Sequence, residues 1–417
     1  MKKKLKTILV IGIAAAAACS CDKTSTPTVY RPADTNPAMN NPDKFAWQMF
    51  VEISRPAEDG NPDGPVVWET WALAKKVFAD PNNPPTWKES ARSDEALDGV
   101  DAMPLQQQKI LQMLGEDPVL KFDPGKPGKQ IVSLAETRLN KDLFNFILAK
   151  DLYYQEGIEA YMEDKKILDL PIQSKEIKAI WDTINPAHKN LYHYVIQKDK
   201  SGHETYWGLT ALHIISKDLP QWTWTTFEHV NNPRLPEVEK VEYLKSVDRF
   251  GRKDGKITPE LQALFAKNKL PQKWENYILR GSQLFFTTFT GKPTLLGNTR
   301  TEEGFIYTSS CITCHAKATI GSSLEYVDLP KKIKDSLRSP YAESREEASH
   351  YFNSLAFFSK LPAPDPVSGE TIVTPYGTPS PRWFDTTYVS GKKDTFKQLD
   401  FVWAFTRAKR RNPYKPL

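Results

Sequence analysis

Two of the four cysteines in this 417-residue chain stand three apart, with a histidine directly after the second, in SSCITCHAKA at 309–318. Cys-x-x-Cys-His is the attachment sequence for a c-type haem. Residues three apart on a helical turn share one face. Cys311 and Cys314 can therefore reach two vinyl groups on one porphyrin edge and form thioethers. His315 lies one turn after Cys311, so its imidazole can swing beneath the ring as the proximal iron ligand. Ser309 and Ser310 are of the residue type that caps such a turn. The fold must therefore present a short helix beside an apolar space. A zinc site would need two further ligands, which no second mature cysteine pair or close histidine pair offers. A thioredoxin-like pair would open a helix after a strand in a βαβ unit, and the sequence shows no such unit. One motif implies one covalent haem c.

The other two cysteines lie at the start. MKKKLKTILVIGIAAAAACSCDK has a basic beginning, an apolar run over 8–18, then small residues and a cysteine. This is the pattern of a secretory signal, too short for a stop-transfer helix. A cysteine after small residues suits a bacterial lipoprotein signal, acylated at Cys19 or alternatively at Cys21. The reading is a signal peptide over 1–18 and a lipoprotein facing the periplasm. Export agrees with the haem motif, because haem of this kind is attached outside the cytoplasm.

Setting aside Lys2, Lys3, Lys4 and Lys6 leaves 52 basic against 51 acidic residues, so the chain's net charge of +5 belongs mostly to the signal. The near-neutral remainder has no nucleic-acid footprint. RAKRR at 407–411 reads as a solvated helix end. With 40% hydrophobic and 26% charged residues the class is globular. The 11 Trp, 16 Tyr and 20 Phe supply large apolar faces for a core or a planar cofactor.

Residues 19–43, rich in Thr, Pro, Asn and Asp, read as a flexible tether. From Phe45 the spacing of Phe45, Met49 and Ile53 predicts a helix. Leu143, Ile147, Tyr154, Ile158 and Tyr161 predict one long helix over 140–164. LYHYVIQ, TYWGLTALHIIS and QWTWTTFEHV predict an antiparallel meander. Strict alternation would put Trp207, Leu209, Ala211, His213 and Ile215 on one face, and Trp222, Trp224, Thr226 and Glu228 on one face of the next strand. FGRKDGKITPEL lacks oxygen ligands at Phe250 and Arg252, so it reads as a turn and not a calcium loop. Further helices are expected near 344–361 and 395–410, with a Pro-rich loop over 362–381. The expected class is α+β, with a mixed helix and antiparallel-sheet region over 44–290 followed by a mostly helical, cytochrome c-like haem segment over 291–417.

Axial ligands set what a haem does. No methionine follows Met162, so the haem segment supplies none; Met103, Met113 and Met162 are the earlier candidates. His350 is the only histidine after His315 and is the candidate distal ligand. His213, on an apolar strand face, is a satisfied core histidine, with iron ligand or haem neighbour as the alternative. Glu228 and His229 form an acid–histidine pair suited to proton handling. His188, His193 and His203 lie in polar stretches and read as solvated.

With these residues in view, the chain resembles a group of bacterial exported cytochrome c family proteins. The resemblance rests on FAWQMFVEI, GPVVWETW, LTALHIISKDLPQWTWTTFEHVNNP, LGNTRTEEGFIYTSSCITCHAKA and LDFVWAF. It implies haem binding through Cys311, Cys314 and His315, and electron transfer with a redox partner protein; it names no substrate. The large region before the motif and the absent downstream methionine depart from small His/Met carriers. Two further readings stay open: a haem enzyme of peroxidase or oxygenase type, and a haem sensor that takes a small ligand at an open distal site.

Overall fold

An antiparallel sheet separates two apolar layers, and its register decides which side chains meet the cysteine motif. The computed structural model describes residues 36–91, 101–102, 133–162, 168–232, 248–302, 309–316, 318–320 and 397–411. His350, Cys19, Cys21, Met103, Met113 and the segments 344–361 and 362–381 lie outside them.

Two helices open the fold, α1 (Pro37–Asn40) and α2 (Pro42–Ser54). The Asn41 side chain accepts the Lys44 amide and Pro42 occupies the first turn, so α2 starts where a cap and a preset φ coincide. Met49 and Ile53 are buried as their spacing predicts. Short pieces follow: β1 (Ala72–Leu73), α3 (Ala74–Val77), α4 (Trp87–Ser90) and β2 (Asp101–Ala102). Next come β3 (Ser133–Leu139), α5 (Lys141–Ala149), α6 (Gln155–Tyr161) and β4 (Lys175–Thr183). The meander β5 (Tyr194–Lys198), β6 (Glu204–Ser216) and β7 (Thr223–His229) follows. A small hairpin, β8 (Arg252–Lys253) and β9 (Lys256–Ile257), precedes α7 (Pro259–Lys267) and β10 (Tyr277–Gln283). The motif is α8 (Cys311–His315), after which come β11 (Thr319–Ile320) and β12 (Lys397–Gln398).

The main sheet runs β1-β3-β4-β6-β7-β10, with β2 also on β3 and β5 also on β6. β5 and β7 both pair with β6 antiparallel, as the meander predicts. The β8–β9 turn holds Asp254 and Gly255 at φ 51° and 75°, the two positive angles of an Asp-Gly hairpin turn.

The alternation in β6 is not strict. Its pairing with β4 slips where Ile180 faces Ala211 and Trp181 faces Leu209, leaving Thr210 as an extra residue. Such a bulge exchanges the faces beyond it. Trp207 and Leu209 therefore share a core with Leu212, Ile214, Phe227 and Trp47, under α2 and α7. Ile215 and Trp224 join the opposite layer, with Cys311, Ile312, Met162, Leu399 and Phe405. His213 and Ala211 go with Ile215, so the expected single face is divided.

Three other expectations are corrected. The long helix over 140–164 is two helices: Asp151 takes φ 55°, and a Cβ on Gly157 would lie 1.8 Å from the Asp151 carbonyl oxygen. The mostly helical haem segment is not found. Its described residues hold one five-residue helix, α8, two-residue strands, and a 3-10 turn at Trp403–Arg407 where a helix over 395–410 was expected. Here the chain bonds across to β3–β7 and to itself instead of coiling. RAKRR is not a helix end: the 3-10 turn stops at Arg407, and half-buried Arg410 donates to Glu159 at 2.7 Å, while Arg407, Lys409 and Arg411 are exposed, Arg411 donating to Tyr153 at 2.7 Å.

Candidate haem-binding site

α8 is held from outside its own sequence. Ser310 occupies the cap position, but its side chain makes no capping bond; it lies 2.9 Å from Thr313 Oγ1. The cap comes from β10. Gln283 Oε1 accepts the Ile312 amide at 3.0 Å, while its Nε2 donates to Ser310 Oγ at 3.0 Å and to the Thr294 carbonyl at 3.0 Å. One amide thus satisfies an orphan helix donor and ties the turn to the sheet. Cys311 is buried, and burial pushes its thiol pKa well up. Cys314 is half-buried.

His315 packs against Trp224, ring centroids 4.5 Å apart at 48°. Its Nδ1 lies 2.8 Å from the Phe401 carbonyl oxygen. Burial pushes its pKa down to about 4, so the ring is neutral near pH 7. A neutral imidazole bonding a carbonyl through Nδ1 carries its proton there, which leaves the Nε2 lone pair for a metal.

The carbonyl is placed by a strained turn. Asp400 and Phe401 take φ 47° and 68°, a costly conformation for a non-glycine pair. The Asp400 carboxylate fixes it by accepting the Leu170 amide at 2.8 Å and the Trp222 indole at 3.2 Å, and by pairing with buried Lys217.

Register sets a polar row beside this site. Lys178 pairs with His213, and His213 with Thr226, so the three share the sheet face that carries Trp224. His213 Nε2 lies 2.7 Å from Thr301 Oγ1 and 3.9 Å from Glu302. Burial lowers the His213 pKa well below its usual value and raises that of Glu302 to about 7. The segment bearing Thr301 is fastened down. Asn298 bonds Thr226 and the Phe227 carbonyl, Thr299 bonds Glu228, and Arg300 holds Asp182 through two bonds of 2.7 and 2.6 Å.

The structure thus brings Cys311, Cys314 and His315 together with His213, and buries Met162 in the same apolar cluster as Cys311. It separates Glu228 from His229. Glu228 faces Thr299 and Arg280; His229, one residue on, faces the Leu191 carbonyl and stacks on Tyr192. His193 is buried, not solvated: it stacks on Trp274 and lies 3.0 Å from Glu69. Gln283, Lys178, Asp400 and Phe401 escaped the sequence reading. Only Asp400 and Phe401 carried a signal, as part of the LDFVWAF block.

Among the described residues no group of three His, Cys, Asp or Glu side chains is arranged to hold a metal ion. Among them, too, no helix is long and apolar enough to cross a membrane. Compared with protein-family models, with curated proteins and with solved structures, the chain matches none.

Proposed function

We propose that the chain is an exported c-type cytochrome that holds one covalent haem and passes electrons in the cell envelope. Cys311 and Cys314 would carry the thioethers and His315 Nε2 would bind the iron. The observation that supports this best is the orientation of His315. Its Nδ1 is committed to Phe401 and its ring is neutral, the state a proximal ligand needs. The apolar layer around Cys311 suits a porphyrin. When bound, haem supplies a one-electron iron couple. The residues themselves hold and orient it: Gln283 fixes the turn that bears the thiols, Trp224 and Phe401 fix the imidazole, and buried Trp222, Leu399 and Phe405 keep water away. The electron donor and acceptor would be envelope redox proteins, and acylation at Cys19 or Cys21 would tether the chain to a membrane facing the periplasm.

Acid–acetone extraction of protein matured with the haem-attachment machinery tests the reading. Haem should stay on the chain; haem released to the solvent would overturn it.

A second reading is favoured by the row Lys178–His213 with Thr301 and Glu302. Polar groups beside a haem suit a small-ligand sensor or a peroxidase- or oxygenase-type enzyme. Carbon monoxide added to the reduced protein separates the two, since only an open iron takes it.

A further inference from the structure

Three of the six exposed large hydrophobic residues among those described are Met39, Phe285 and Phe289. Residues 284–294, LFFTTFTGKPT, leave β10 and return to it as a finger. Thr287 bridges Pro293, the Thr288 amide donates to the Lys292 carbonyl at 2.7 Å, and Gly291 turns the tip at φ 78°. Phe286 packs inward on the layer that holds Cys311. Phe285 is 44% exposed, and Phe289, near the tip, is fully exposed. The finger contains no acidic residue and one lysine, Lys292. Its first residue, Leu284, packs with Ala38 of α1 and with Leu219. The chain therefore enters the fold at the base of the finger.

We propose that residues 284–294 are a second membrane contact, with Phe289 entering the headgroup region of an anionic phospholipid bilayer. The inference rests on the reading of an acylated N-terminal cysteine. Seventeen residues separate Cys19 from Pro37, or fifteen separate Cys21 from it. Read as a flexible tether, such a segment has a reach of roughly 20 Å. Pro37 starts the helix that packs on Leu284, so an anchor within that reach brings the bilayer to the finger. A convex tip bearing an aromatic ring suits a deformable interface, where aromatic side chains collect and a lysine meets anionic headgroups. A protein partner would need a pocket shaped to Phe289. The finger's base is bonded through Gln283 to Ser310, so the contact would hold the motif turn at the membrane side.

The test uses the full chain, matured with haem, carrying Cys19→Ser and Cys21→Ser so that no acyl group contributes. Flotation with vesicles of phosphatidylethanolamine and phosphatidylglycerol should show binding that weakens about tenfold in Phe289→Asp, the loss expected for one buried aromatic ring. Lys292→Glu should weaken it severalfold at low salt and little at high salt. Both positions lie on the exposed finger, and an unchanged haem spectrum and circular dichroism verify the fold. Absence of binding, or binding indifferent to both substitutions, overturns the proposal. So does a finger-dependent association with a protein in place of vesicles. Mass spectrometry of the wild-type N-terminus reads the anchor separately. A non-acylated N-terminus with finger-dependent binding would sink the anchor and leave the surface contact.

Discussion

His315 Nδ1 meets the carbonyl oxygen of Phe401, 86 residues along the chain, at 2.8 Å. The contact orients the one histidine of the motif, and it depends on a turn with two consecutive left-handed residues, Asp400 and Phe401. What holds that turn is a buried carboxylate, so its removal should be felt at His315 and at the haem proposed to bind there.

Asp400→Ala deletes the acceptor for the Leu170 amide and the Trp222 indole and one of the two carboxylate partners of Lys217, which keeps Asp169 at 2.9 Å. Losing a buried carboxylate acceptor of this kind costs about 1–3 kcal/mol. Denaturant unfolding should show this loss. The haem spectrum of the folded fraction should also change, because the Phe401 carbonyl is no longer held on His315. A stability loss with an unaltered spectrum would assign the turn a structural role alone.

Gln283→Ala removes the acceptor for the Ile312 amide and the donor to Ser310 Oγ in the motif turn, with the bonds to Thr294. A loss of about 2–3 kcal/mol is expected, together with less haem attached per chain. Gln283→Glu keeps the acceptor and should recover part of both. Equal defects in the two variants would argue against the cap.

The thioethers can be counted. Cys314→Ala should leave at most one and shift the reduced haemochrome band from that of doubly attached haem; Cys311→Ala should do the same. Wild-type spectra in either single variant would exclude the motif as the attachment site.

The sixth ligand is read optically. No methionine lies in the haem segment, so the weak long-wavelength band of ferric His/Met haem should be absent. Met162, buried in the same apolar cluster as Cys311, should therefore be replaceable by leucine with the spectrum unchanged. A band lost in Met162→Leu would make Met162 the ligand. Conversion from low-spin to high-spin iron in His213→Ala or His350→Ala would name that histidine.

Two buried groups should give stability opposing slopes against pH. Burial raises the Glu176 pKa from 4.5 to about 8. The folded state then holds a proton that the unfolded state releases, and stability declines as pH rises from about 4.5 to 8. Burial lowers the His229 pKa from 6.5 to about 4, with its Nε2 donating to Leu191. The unfolded state takes up that proton first, so stability declines as pH falls from about 6.5 to 4. Denaturation midpoints across pH should lose the alkaline slope in Glu176→Gln and the acid slope in His229→Gln. Slopes that persist would place them on other groups.

The sequence by itself determined what is local: the short helical turn over Cys311–His315, because the spacing of the motif residues suits one face of a turn; the start of α2, because cap, proline and apolar spacing coincide; the meander, because β-branched and aromatic runs alternate between turn residues. Tertiary structure decided the rest. The bulge at Thr210 follows from pairing with β4 and sends His213 to the haem-motif face, which no count along β6 reveals. The motif's capping acceptor is Gln283 of β10, 29 residues before the Ile312 amide it receives. The neutral, oriented state of His315 needs burial and a carbonyl from 86 residues away. In place of the expected helix over 395–410 stand a strand and a turn, and there Asp400 bonds Lys217, Trp222 and the Leu170 amide, all far away in sequence. Periodicity reports the face a segment buries; the partner that covers it, and any polar atom it must satisfy, are set by chain segments far away in sequence.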